Sequence, residues 1–144
     1  MRRILPVLII ALLAYGYDFY RENRGLQGPG PDVTQDTPIQ VAFANAQSDV
    51  QVQGAGKVVK VLRDDLEGSR HQKFILALPS GHTVLVSHNI DLAPRVDRIR
   101  EGDRVEFFGE YEWNPKGGVI HWTHRDPRGR HPNGWLRHQG VTYH

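Results

Sequence analysis

Beyond residue 50 apolar and polar residues alternate with a period of two, the repeat that side chains on a half-buried strand require. Val50-Gln51-Val52-Gln53 begins the pattern, and after Gly54-Ala55-Gly56 it resumes as Lys57 to Leu62. This predicts one long strand with a bulge or bend that the glycines permit. A second strand is predicted over His71–Leu78, with Phe74, Leu76 and Leu78 on one face. Pro79-Ser80-Gly81 then turns the chain into a third, Thr83–His88. The fourth, Arg104–Trp113, sets Val105, Phe107, Tyr111 and Trp113 on one face and Arg104, Glu106, Glu110 and Glu112 on the other. Asn114 to Gly118 reads as a hairpin turn into a fifth strand, from Val119 to about His124. Ahead of the strands the period changes. Thr37-Pro38 reads as a cap and first helical position, and Ile39, Phe43 and Ala46 fall at helical spacing, predicting a short helix to about Gln47.

The 15 glycines and 9 prolines among 144 residues supply the turns of a mainly β protein with room for one domain. Five strands with a long bent first one, a connector over Asn89–Arg100, and the turn Glu101-Gly102-Asp103 leading to Val105, Phe107 and Gly109 resemble an OB-fold, a small Greek-key barrel. The expected fold is a five-stranded OB-like barrel over residues 37–144, with a short N-terminal helix and an irregular C-terminal tail. The chain also resembles an uncharacterised family of small exported bacterial proteins. That likeness is carried by His88-Asn89-Ile90-Asp91-Leu92-Ala93-Pro94-Arg95, by Gly109-Glu110-Tyr111-Glu112-Trp113-Asn114, and by Gly118 to Trp135. It implies a relative and no activity.

Arg2-Arg3 precedes an apolar run, Ile4 to Ala14. Extended to Tyr17, this run spans about 21 Å as a helix, short of the roughly 30 Å hydrocarbon core. It reads as a secretory signal over residues 1–16, or as an uncleaved anchor with Tyr15, Tyr17, Phe19 and Tyr20 at the interface. Either way the domain is expected to be exported, in the periplasm or on the outer face of the inner membrane. Residues 17–36, rich in Gly, Pro, Gln and Asp, read as a linker.

Charge sharpens this picture at one place. The sequence has 18 basic and 16 acidic residues. From Asn114 onward there are five basic residues (Lys116, Arg125, Arg128, Arg130, Arg137) against Asp126 alone, so the tail is cationic while the rest of the domain is acidic. The absence of cysteine excludes disulfides, a thiolate nucleophile and a Cys-ligated zinc site.

The same tail holds the candidate chemistry. Trp122, Arg125, Arg128, Arg130 and Trp135 form a basic and aromatic set suited to a polyanion, whether single-stranded nucleic acid or an anionic polysaccharide. The competing reading places Trp113 and Trp122 in the core and pairs the arginines with Glu110 and Glu112. His121, His124, Asp126 and His131 have the composition of a cysteine-free site for a divalent metal such as zinc, which would serve a phosphodiesterase or nuclease. On a regular strand His121 and His124 face opposite ways, so they converge only if the strand breaks near Thr123. The alternative is that these histidines hold loop backbone. His88, beside Asn89 and Asp91, is a weak candidate for a general base, and an Asn-Ile-Asp turn is as readily a capping device. A tail that only closes the barrel would make an envelope structural protein.

Overall fold

The computed structural model describes residues 37–144. The signal or anchor expected at 1–16 and the linker at 17–36 lie outside the described residues. The elements are a helix α1 (Thr37–Ala44) and the strands β1 (Val50–Val61), β2 (His71–Ala77), β3 (Thr83–Asn89), β4 (Arg104–Glu112), β5 (Val119–His121), β6 (Trp135–His138) and β7 (Val141–Tyr143).

The strand order β1-β2-β3-β5-β4, closed by β4 pairing back to β1, makes a five-stranded barrel, and β6 and β7 extend it beyond β4. β1 is long because it serves two partners. Val50 to Lys57 pairs with β4, and Lys57 to Val61 pairs with β2 across a register shift between Val58 and Lys60. β3 and β5 run parallel; β5 pairs antiparallel with β4 at its other edge. This is the topology the OB-fold resemblance implies.

Alternation decides the core. Val52, Val58, Phe74, Leu76, Val84, Val86, Val105, Phe107, Tyr111 and Ile120 face inward and are buried. Ile39 and Ala42 of α1 pack on the same cluster. Two buried polar groups are satisfied within it: Tyr111 donates its hydroxyl to the Gly117 carbonyl at 2.9 Å, and the Gln72 amide brackets the Val96 backbone at 2.8 and 3.0 Å. Trp113 departs from the prediction. β4 ends at Glu112, so Trp113 leaves the apolar face, stands 37% exposed, and donates its indole N–H to the Phe43 carbonyl.

The tail is irregular as expected up to Gly134, and beyond it forms two strands that the sequence does not predict. Phe108 to Val105 pairs with Trp135 to His138, and Leu136 to His138 pairs with Tyr143 to Val141. Leu136 and Tyr143 enter the core cluster, so the tail's own apolar parity docks it on the barrel. Gly134 makes the docking possible. A Cβ there would run into the carbonyls of Trp122 and Phe108, so only a bare backbone fits where the chain crosses back to β4.

Candidate functional site

β5 stops at His121 because Trp122 takes a left-handed backbone, φ 53°. That break falls within two residues of where the sequence required one, yet it does not gather the histidines into a ligand set. His121, opposite Glu110 across the strands, keeps the outward parity of β5. Its Nε2 lies 3.3 Å from a Glu112 oxygen and 3.8 Å from a Glu110 oxygen. Neither contact has hydrogen-bond direction, so that nitrogen is buried without a partner. The two carboxylates are therefore close to that nitrogen without bonding it.

Thr123 and His124, just beyond the break, are both buried. Thr123 Oγ1 sits 2.8 Å from His88 Nδ1, and His88 Nε2 sits 3.0 Å from the Pro94 carbonyl. The carbonyl can only accept, so Nε2 carries the proton and Nδ1 accepts from the hydroxyl. His88 is thus held in one neutral tautomer. Burial pushes its pKa down to about 4, the Pro94 bond raises it, and His124 and His71 nearby lower it. A fully buried ring with both nitrogens occupied is a structural histidine, and the general-base reading of His88 has no access to solvent to act through.

Asp126 holds its own loop. Its two oxygens accept backbone N–H bonds from Arg128, Arg130 and His131 at 2.8–2.9 Å, and these bonds, Arg128 first, hold its carboxyl below the usual range. His131 returns to the barrel. Its Nε2 is 2.8 Å from Glu110, its Nδ1 is 2.9 Å from the Pro132 carbonyl, and its ring stacks on Trp122 at 4.0 Å and 10°. The four expected ligands do not converge on one point: His121 and His131 flank Glu110, His124 shares the lining of a small cleft with His121, and Asp126 faces its own loop. Among the described residues no group of three or more His, Asp or Glu side chains is placed to hold a metal ion.

The arginines fare differently. Arg125, Arg128 and Arg130 are all exposed. Arg125 meets the ring of His144 at 2.9 Å, and none of the three has an acidic partner among the described residues. They do not pair with Glu110 and Glu112, which face histidines instead. Trp135 lies apart from this loop, on the outer face of β4 and β6. It stacks with Phe108 at 6.3 Å, and the Arg137 guanidinium sits 4.8 Å over its ring. Beside them Gln53, Ala55, Arg104 and Glu106 line a cleft of about 530 Å³. In it Glu106 serves both Arg104 and Arg137, at 3.5 and 3.4 Å.

The sequence reading missed Glu110 as the hub of the loop. Its outward parity on β4 was legible; its position opposite both Gln51 of β1 and His121 of β5 depends on barrel closure. The Gln51 side-chain nitrogen is also buried without a partner there.

A closed five-stranded barrel with a docked C-terminal hairpin and a cationic loop defines a small OB-type β protein. The chain matches, over residues 27–144, the family described as "Protein of unknown function (DUF3465)", and belongs to it. No match to a curated protein was found.

Proposed function

We propose that this protein is an exported binding module for a polyanion, with the loop Arg125–His131 as its primary contact. One observation carries the reading: three arginines stand exposed on one turn while Asp126, the single acid among them, is bound to three backbone N–H groups of that turn. Such a turn concentrates positive charge that no acidic side chain among the described residues pairs with, and the stacked His131 and Trp122 fix its base on the barrel. The Trp135–Arg137 face adds a second, weaker cationic surface because Glu106 offsets its arginines.

The test is a salt titration of the purified domain against a single-stranded oligonucleotide and a uronate polymer. Binding to at least one, with log Kd rising linearly with log salt and weakened by Arg128→Ala/Arg130→Ala, supports the reading. Absence of binding to both, or affinity indifferent to salt, removes it. A metal-dependent hydrolase built on the C-terminal histidines receives no support from a ligand set that does not converge.

A further inference from the structure

A smaller cleft, about 230 Å³, opens on the barrel wall beside the arginine loop. Ser69 and His71 line it from the entry to β2, Ser87 and Asn89 from β3, and His121, Trp122 and His124 from the end of β5. We propose that this cleft binds one hydroxylated ring of an anionic glycan. The inference rests on the polyanion reading above and names which polyanion.

The argument begins with the polar groups that the fold leaves unused. His71 Nδ1 faces the Ser69 carbonyl at 2.8 Å, and His124 Nδ1 faces the Arg125 carbonyl at 2.7 Å. A carbonyl only accepts, so each Nδ1 carries a proton and each neutral ring keeps Nε2 as a free acceptor. Asn89 Oδ1 already accepts from the N–H groups of Asp91 and Leu92, which leaves its amide as a donor. No hydrogen bond among the described residues engages the hydroxyl of Ser87. One small cleft therefore offers acceptors, a donor and hydroxyls together. Its size is below the roughly 300–1,000 Å³ that drug-sized ligands fill, so a single ring is its measure.

A sugar ring matches this inventory because each of its hydroxyls donates and accepts. A single DNA strand matches it less well: its phosphates only accept, its deoxyriboses carry no free hydroxyl along the chain, and its bases, whose edges do donate and accept, bind most firmly on an open aromatic face. At Trp122 that face is taken by His131 at 4.0 Å, with His124 tilted at 5.3 Å. Trp122 is also the wall shared by cleft and loop: it lines the cleft and carries His131. A glycan with one ring in the cleft would run its neighbouring units, and their carboxylates, onto the turn that begins at Arg125.

The experiment uses the whole domain, a uronate octasaccharide with four carboxylates, and an oligothymidylate with four phosphates. Two substitutions on different elements fill the cleft without touching an arginine: Ser87→Leu on β3 and Leu92→Trp on the following connector, where Leu92 is 46% exposed. The octasaccharide Kd should rise at least tenfold with either, and the oligothymidylate Kd should move less than twofold. Arg128→Ala/Arg130→Ala should weaken both. If both cleft variants bind the octasaccharide within twofold of the parent while the arginine variant weakens it, the cleft proposal falls and the polyanion reading stands. Cleft variants that weaken the oligothymidylate as much as the octasaccharide also overturn it, in favour of nucleic acid. Failure of both polymers to bind the parent overturns both readings.

Discussion

His131 and Glu110 are 21 residues apart in sequence and 2.8 Å apart in space, and this contact fixes the arginine loop to the barrel. The second ring nitrogen of His131 faces the Pro132 carbonyl at 2.9 Å. A ring stacked on Trp122 and hydrogen-bonded to a half-buried carboxylate is a stronger anchor than either contact alone.

Removing Glu110 should therefore release the loop before it unfolds the barrel. Glu110→Ala is expected to cost about 1.5–3 kcal/mol, the range for a hydrogen bond to a charged group. Amide exchange should accelerate at Gly129, Arg130, His131 and Gly134, whose N–H groups bond within the loop or back to His124. Amides paired between β2 and β3 should keep their protection. Equal acceleration everywhere would mean that Glu110 supports the whole fold rather than the loop.

The barrel was legible in the sequence because period-two alternation also decides burial. The inward faces of β2 and β4 read directly from Phe74, Leu76, Val105, Phe107 and Tyr111. Alternation does not say where a strand ends, which is why Trp113 leaves the apolar face its parity predicts. The strands of the tail are not legible because β6 and β7 have only four and three residues, too few for a periodic signal. The site was less legible still. Whether His121 and His124 meet depends on one left-handed residue, Trp122, and nothing in an indole announces a positive φ. The exposed arginines are readable as charge; their lack of acidic partners among the described residues is not, because it follows from where Asp126 turns.

His88 predicts a pH dependence of stability. Its pKa is near 6.5 when unfolded and about 4 in the fold, so between those values the unfolded chain binds the extra proton. Stability is thus full above about pH 6.5 and falls as pH drops toward 4, by roughly 3 kcal/mol at about 1.4 kcal/mol per pH unit. Asp91, Asp103 and Asp126 are lowered from 3.8 and act in a separate, more acidic window, where protonation loses their stabilising bonds. Urea midpoints at pH 7 and pH 4.5 should differ clearly less in His88→Gln than in the parent. An identical difference in both would assign the acid sensitivity to another group.

Gly134 predicts a packing cost unrelated to charge. Gly134→Ala drives a methyl into two backbone carbonyls, which cannot swing aside as a side-chain end can. A loss of about 2 kcal/mol, within the overpacking range, corresponds to a fall in Tm of roughly 8–16 °C for a domain of this size. The near-ultraviolet signal of Trp135 should change with it, because β6 must shift on β4. An unchanged Tm would show that the crossing chain has slack that its contacts do not suggest.

The last prediction ranks the two cationic surfaces. Arg128 and Arg130 have no acidic partner among the described residues, whereas Arg104 and Arg137 share Glu106. Each arginine that neutralises a phosphate of a single strand contributes about 0.7 to the slope of log affinity against log salt. Arg128→Ala/Arg130→Ala should thus lower the slope for a single-stranded oligonucleotide by about 1.4. Arg104→Ala/Arg137→Ala removes the same formal charge but strips Glu106 of both partners, so the phosphate gains a repulsive neighbour in addition to losing its contacts. If that face binds the polymer, affinity should fall more than the slope does. If it does not, both should stay near the parent values. Oligonucleotide affinity measured at four salt concentrations separates these outcomes, and a slope that depended on Arg104 and Arg137 but not on Arg128 and Arg130 would move the primary contact from the loop to the Trp135 face.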